Sequence, residues 1–391
     1  MKITDNKFIP YGRQNITDED INSVIDVLKS DFLTQGPLVE VFESKVAKKL
    51  SSKYAIALNS ATSALHVTCL ALGLGLNDWL WTSPISFVAS ANCGLYCGAK
   101  IDFVDIDPLT GLMSIDALRI KLERAKKENK LPKIVIPVHL GGASCDMESI
   151  KTLSDQYGFH IVEDASHAIG GKYQNKYVGN CVYSSATIFS LHPVKIITTG
   201  EGGIVTCNDK DIAKKIKLLK SNGITKNKKD FIYKDAGPWS YEQHFLGFNY
   251  RFNEIQAALG ISQLKRLDSI VKKRNILFEN YVSLLRDLPV YFLKIPNDVY
   301  SSLHLAIIRF ENKEKEYHLK IFNELRSRNI GVQVHYIPIH LHPIYRDFGF
   351  EEGNFPESEI YANNAISLPI YPELSFQSQE RVSNAIKEII K

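Results

Sequence analysis

Lys195 stands among apolar neighbours in Phe189-Ser190-Leu191-His192-Pro193-Val194-Lys195-Ile196-Ile197, a loop held by Pro193 and followed by Gly200, Gly202 and Gly203. An ammonium in such surroundings loses solvation, its pKa falls, and its amine becomes available to form a Schiff base with a carbonyl compound. Upstream, Val162-Glu163-Asp164-Ala165-Ser166-His167 closes an apolar stretch. In an open α/β sheet, ligands bind beyond the carboxyl ends of the strands. Asp164 is thereby placed to pair with a cationic ring nitrogen, and His167 to reach the same ligand. Earlier still, Asn59-Ser60-Ala61-Thr62-Ser63 follows a β-rich run and opens a helical one. Backbone N–H groups, hydroxyls and the positive end of a helix dipole meet at such a junction, which suits a phosphate. Each signal also has an ordinary reading. Ser, Thr and Asn are the preferred helix caps, a strand-end carboxylate with a histidine can be a cap and a packed ring, and most lysines are solvated. The combination raises all three: a hydroxyl-rich cradle, a strand-end carboxylate and a loop lysine, in that chain order. The Gly-x-x-x-x-Gly-Lys-Ser/Thr pattern of a P-loop is absent.

These residues need a scaffold, and the chain supplies one. Short β-rich runs at 54–58, 80–83, 101–105, 133–137, 160–163, 185–190 and 203–206 alternate with amphipathic stretches such as 63–72 and 115–127. The alternation predicts an α/β fold with a mainly parallel sheet covered on both faces. Thr17-Asp18-Glu19-Asp20 reads as a capping box, and Ile21, Val24, Ile25 and Leu28 follow at helical spacing, predicting a lead-in helix. The polar, aromatic-spotted segment 222–240 predicts a long surface loop, and its Lys226, Lys228 and Lys229 fit a solvated charge run better than a diphosphate site. Helices at 253–264 and 270–285 lead to a second unit holding a strand at 303–310, a helix at 315–328, a strand near 331–336 and a terminal helix from Gln379. A boundary near residue 265 then separates a large α/β unit, 1–265, from a smaller α+β unit, 266–391.

With 391 residues, 45% of them hydrophobic, the chain can bury a sizeable core. Its 47 Lys+Arg and 43 Asp+Glu leave a net charge of +4, with both signs dispersed. That is no footprint for nucleic acid or a membrane surface. No pair among Cys69, Cys93, Cys97, Cys145, Cys181 and Cys207 has C-x-x-C spacing, Cys93 and Cys97 suit one face of a helix, and no metal site is expected. The first residues lack an apolar leader, and no stretch approaches the roughly 18 apolar residues of a membrane span. The expectation is a cytoplasmic, soluble protein.

Several stretches, in order along nearly the whole chain, resemble the DegT/DnrJ/StrS group of sugar-nucleotide aminotransferases. They are Leu33-Thr34-Gln35-Gly36, Asn59-Ser60-Ala61-Thr62-Ser63-Ala64-Leu65-His66, Ser86-Phe87-Val88-Ala89, Asp164-Ala165-Ser166-His167-Ala168 and Thr199-Gly200-Glu201-Gly202-Gly203, then Gly247-Phe248-Asn249-Tyr250-Arg251, Glu254-Ile255-Gln256-Ala257-Ala258-Leu259-Gly260 and Ser367-Leu368-Pro369. The resemblance implies the PLP-dependent transferase type I (aspartate aminotransferase-like) fold, with pyridoxal 5'-phosphate as cofactor and pyridoxamine phosphate as the form that stores the amine. The stretches 192–199, 166–168 and 331–336 are similar to one branch. Its members move an amino group from L-glutamate to C4 of UDP-2-acetamido-2,6-dideoxy-β-L-arabino-hex-4-ulose, giving the 4-amino altrosamine precursor of pseudaminic acid. The chain departs from that branch at Ile337, where a lysine precedes the proline, and at His340-Leu341-His342, both in the expected sugar or nucleotide pocket.

Carried onto this sequence, the resemblance makes Lys195 the covalent cofactor lysine and Asp164 the partner of the pyridine nitrogen. Phe87 would stack on the ring and His167 approach its hydroxyl. Ser60, Ala61, Thr62 and Ser190 would hold the phosphate, joined by Asn249 of a second subunit, so that a homodimer shares its active sites. Tyr11, Asp31, Phe32, Leu33, Thr34, Gln333, His335 and Tyr336 would contact the UDP-linked 4-keto sugar. The alternatives are the same reaction on a D-configured 4-keto sugar nucleotide of the legionaminic or bacillosamine type, and a non-enzymatic regulator that keeps a transaminase-like fold. A pyridoxamine-dependent sugar dehydratase of related fold, which has histidine in place of the lysine, is disfavoured by Lys195.

Overall fold

The computed structural model describes residues 7–233, 237–311 and 314–390; the first six residues, part of the expected leaderless N-terminus, lie outside them. Seven strands form the main sheet: β1 (Tyr54–Leu58), β2 (Trp79–Thr82), β3 (Lys100–Phe103), β4 (Ile134–Ile136), β5 (His160–Asp164), β6 (Ala186–Ser190) and β7 (Gly203–Cys207). Their spatial order is β1-β7-β6-β5-β4-β2-β3, parallel throughout except that β7 runs antiparallel to both neighbours. Each strand falls where the β-rich runs predicted it, within two residues at either end.

Alternate residues of the strands enter different cores, as a pleated sheet covered on two faces requires. Leu80, Ile134, Ile136 and Val162 pack with helices α3 (Ala61–Ala71) and α4 (Ala89–Tyr96), whereas Trp81, Val135 and Ile161 pack with α5 (Ile115–Glu128) and α6 (Met147–Tyr157). Cys93 lies in α4 and Cys97 caps its end, with all six thiols free. Among the described residues no helix is long and apolar enough to cross a membrane.

The lead-in helix α1 (Asp18–Leu28) has the expected box, Thr17 and Asp20 capping each other reciprocally. Its apolar stripe, however, points away from the rest of the chain: Ile21, Ile25 and Leu28 are exposed, and the buried positions are Asp20 and Val27. The reason is the surface α1 lies on. Helix α8 (Glu254–Lys265) presents Gln263, and the adjoining residue Arg266 adds a guanidinium; both donate to Asp20 Oδ2, at 2.8 and 2.6 Å. A carboxylate with that many donors is stable inside.

The loop predicted at 222–240 carries a short ribbon, Ile224–Thr225 against Glu242–Gln243, with Tyr233 and Trp239 exposed; residues 234–236 lie outside the described set. Beyond α8, helix α9 (Leu267–Leu285) leads into a separate core with Leu277, Tyr281, Ile308, Ile321, Leu368 and Val382, to which Ile9 from the N-terminus also belongs. The strand expected at 303–310 begins only at Ala306, because Leu303 has φ of 50° and Arg274 of α9 donates to the carbonyls of Leu303 and His304 instead. No strand forms at 331–336. The only bridges there are single ones, Gln333 with Ser367 inside the stretch and Ile330 with Ile9 just before it. The terminal helix starts one turn earlier than predicted, at Phe376.

Candidate active site

Strand β1 ends at Leu58, and Ser60 caps α3. Ser60 Oγ accepts from the Ser63 N–H at 3.1 Å, Ser63 Oγ accepts from the Ser60 N–H at 3.2 Å, and Ser63 Oγ donates to Asn59 Oδ1 at 2.6 Å. The turn is thereby locked. The N–H groups of Ala61 and Thr62, in the first turn of α3, have no carbonyl behind them to bond, and both residues line a cavity of about 620 Å³. The neighbouring strand passes close beneath. A Cβ on Gly203 would stand 2.3 Å from Ser60 O and 2.6 Å from Ala61 N, so any other residue there would disrupt the cradle. Ser190, at the end of β6, lines the same cavity.

Asp164 ends β5 and is buried at the cavity wall. One oxygen accepts the Ser166 N–H at 3.1 Å and the other the Ser90 hydroxyl at 2.5 Å. Glu163, one residue earlier, points to the opposite side of the sheet, where His139, Ser184 and Thr187 satisfy it. Lys195 lies in the loop after β6, its N–H donating to His192 O at 2.9 Å. Burial pushes its ammonium down to about 8, against the opposing pull of the Asp164 carboxylate. It is the one lysine or arginine among the described residues that line the cavity.

The remaining lining is dominated by histidine and tyrosine. The N–H of Gly141 donates to His167 Nδ1 at 3.3 Å, which leaves Nε2 to carry the ring proton and to meet Tyr336 Oη at 3.0 Å. The His304 ring lies 4.4 Å from that of His167 between centroids. His335 bonds Ser367 Oγ through Nδ1 at 2.8 Å, and its carbonyl accepts from Tyr361 Oη at 2.9 Å. Tyr11 lies beside His335, with 5.6 Å between the rings. Burial first, and then the nearby Lys195 charge, push His167 and His304 well below the ordinary histidine range and His335 down to about 3. These imidazoles are therefore neutral at physiological pH.

The sequence-predicted residues brought to this cavity are Ser60, Ala61, Thr62, Phe87, Asp164, His167, Ser190, Lys195, Tyr11, His335 and Tyr336. Others lie elsewhere in the chain. Asn249 pairs its backbone with Ser221. Asp31, Phe32, Leu33 and Thr34 form an exposed stretch before α2 (Leu38–Leu50), where Leu33 O accepts the Glu254 N–H. The Gln333 side chain accepts from the Val334 N–H. Ile337 is 60% exposed and outside the cavity. His340, expected in the sugar or nucleotide pocket, is buried instead, bonded to Glu359 at 2.9 Å and packed on Phe355, because its neighbours fold it inward as part of the core. Sequence reasoning missed His304, whose only signal was a polar residue inside the apolar run Leu303-His304-Leu305-Ala306. It also missed Ser90, which hides among small residues.

The arrangement fits a phosphorylated aromatic cofactor: a locked helix N-terminus for the phosphate, a buried anion for a ring nitrogen, and an amine of lowered proton affinity for a carbonyl carbon. A model of the DegT/DnrJ/EryC1/StrS aminotransferase family matches residues 14–387. The chain is 35% identical over 388 residues, 98% of either chain, to the UDP-4-amino-4,6-dideoxy-N-acetyl-beta-L-altrosamine transaminase of Campylobacter jejuni. It is 36% identical to the spore coat polysaccharide biosynthesis protein SpsC of Bacillus subtilis, over 99% of this chain and 98% of that one. Among solved structures, Helicobacter pylori PseC, an aminotransferase involved in the biosynthesis of pseudoaminic acid, superposes with a TM-score of 0.89 at 33% identity, covering 98% of this chain and 99% of that one.

Proposed function

The chain belongs to the DegT/DnrJ/EryC1/StrS aminotransferase family and is a pyridoxal-phosphate-dependent sugar aminotransferase, and from that premise we propose its substrates and the residues that serve them. The amino group passes from L-glutamate to C4 of UDP-2-acetamido-2,6-dideoxy-β-L-arabino-hex-4-ulose, giving the 4-amino altrosamine precursor of pseudaminic acid in the cytoplasm. The relative from Campylobacter jejuni and the PseC structure support this choice of sugar through what they are named for. The observation that carries the residue roles is the Lys195 amine, lowered to about 8, in one cavity with the Asp164 carboxylate.

When bound, pyridoxal phosphate supplies an electron sink for the charge left as a Cα–H bond breaks. The N–H groups of Ala61 and Thr62 would bind its phosphate, helped by the hydroxyls of Ser60, Thr62 and Ser190. The Asp164 carboxylate would keep a proton on the pyridine nitrogen. Phe87 would cover the ring face, and His167 would approach the ring hydroxyl. Lys195 would hold the cofactor covalently, and its free amine would serve as the base that takes the donor Cα proton and the acid that returns it. Tyr11, His335 and Tyr336 take the sugar nucleotide with neutral hydrogen-bonding groups. Asn249 and the stretch Asp31–Thr34 lie outside the cavity of their own chain and serve the site of a second subunit in a homodimer. Because donor and acceptor use one site in turn, the kinetics are ping-pong.

Incubation with L-glutamate and paired L- and D-configured 4-keto UDP sugars, followed by NMR of the product, tests the assignment. The expected product carries an amine at C4 of the L-arabino substrate. Amination of the D-configured partner alone would move the chain to the legionaminic or bacillosamine type, and no amination of either would overturn the sugar assignment.

A further inference from the structure

The Asp164 carboxylate does not stand alone at the strand end. Ser90, fully buried in α4, donates its hydroxyl proton to Asp164 Oδ2 at 2.5 Å, and Ser86 Oγ lies 2.6 Å from Ser90 Oγ. A serine has one proton to give. With that of Ser90 committed to the carboxylate, the Ser86 hydroxyl must be the donor to Ser90, so the bonds run in one direction from Ser86 through Ser90 to Asp164. Such a chain polarises its members and strengthens the last bond. Ser86 and Phe87 both line the cavity, so the residues leading into α4 present an aromatic face to the ligand while a hydroxyl one turn on, at Ser90, reaches the acid. Ser86, Ser90 and Asp164 are all buried.

We infer that Ser90, relayed by Ser86, is a positioning residue that fixes the plane and orientation of the Asp164 carboxylate toward the cofactor ring. The inference rests on the role given above to Asp164. A hydrogen bond donated to a carboxylate favours its charged form. Without that donor the carboxylate would compete more strongly for a proton shared with the ring nitrogen, and the visible band of the loaded protein would titrate at higher pH. Nothing in the relay requires a proton to leave the site.

The test is a pH titration of the visible absorbance of full-length protein loaded with pyridoxal phosphate, for wild type, Ser90→Ala, Ser86→Ala, the double variant and Asp164→Asn. A hydrogen bond of ordinary strength corresponds to a midpoint displaced upward by roughly half to one pH unit in Ser90→Ala, with kcat down about tenfold and KM for glutamate within about twofold. Ser86→Ala should move the midpoint less, in the same direction, and add nothing in the Ser90→Ala background, since its effect passes through that hydroxyl. An unmoved midpoint in Ser90→Ala beside a large shift in Asp164→Asn overturns the inference and leaves the role of Asp164 standing. An unmoved midpoint in Asp164→Asn overturns both. A full Ser86→Ala effect without the Ser90 hydroxyl refutes the relay, and if Ser90→Ala fails to fold, the presence or absence of a shift in Ser86→Ala decides.

Discussion

The sheet side of the cavity and its histidine side differ in origin and in charge. Lys195, Asp164, Ser190 and the turn Ser60–Thr62 sit at or just beyond the ends of strands β6, β5 and β1, held by local bonds such as Ser166 N–H to Asp164 and Ser63 N–H to Ser60, with one distant donor, Ser90, on Asp164. Tyr11, His304, His335 and Tyr336 come from three distant stretches and are held by contacts across the second core, such as Ser367 to His335 and Arg274 to the carbonyl of His304. The sheet side carries an acid, an ammonium and a helix dipole, whereas the histidine side is kept neutral by burial and by Lys195 itself. One side is thus equipped for proton and charge work, and the other for recognising a polar ligand without adding charge.

If that division holds, variants of the two sides should separate in kind as well as in size. Lys195→Ala gives the largest effect: turnover falls by at least about 10³-fold and the visible band of the loaded protein disappears, while calorimetry finds binding of the UDP sugar little changed. Equal loss of both would dissolve the contrast. Arg274→Met comes next, and it acts on stability. The buried guanidinium donates to the carbonyls of Leu303, His304 and Ile370 at 3.1–3.3 Å, and stranding them should cost about 2–3 kcal/mol, read in urea denaturation. His335→Ala is the smallest and the most diagnostic. KM for the sugar nucleotide should rise about tenfold, with the rate of the glutamate half-reaction unchanged in stopped-flow measurements. A fall in that rate would give the histidine side a part in the chemistry.

The same contrast explains what could be read in the sequence. The strands were legible because, apart from the polar face of the edge strand β3, they are largely buried on both faces, and the cavity residues of the sheet side were legible because each follows a strand end within a few positions. Period-two alternation even separates Asp164, at the cavity, from Glu163, on the other side of the sheet. The histidine side depends on packing between segments from 30 to more than 300 residues apart, which leaves little local trace. His304 looked like an interruption in a strand, and residues 331–336 like a strand, because their bonds go to Arg274, Ile9 and Ser367 instead of to a regular ladder. His340 was misplaced for a related reason. Its partner Glu359 comes from a later helix and draws it into the core. The outward stripe of α1 was hidden by its own regular spacing, which gives the face but not what the face meets.

The role of Lys195 bears the most weight, and covalent mapping tests it directly. Protein loaded with pyridoxal phosphate is reduced with borohydride at several pH values, digested, and the labelled peptide identified by mass spectrometry. With the ammonium lowered to about 8, the free amine is the major form above that pH and the minor one below it. The initial rate of cofactor capture should therefore climb as pH rises through 8 and level off beyond it, with the label on Lys195. A label on another lysine, or a capture rate still rising steeply above pH 10, would contradict the site described here.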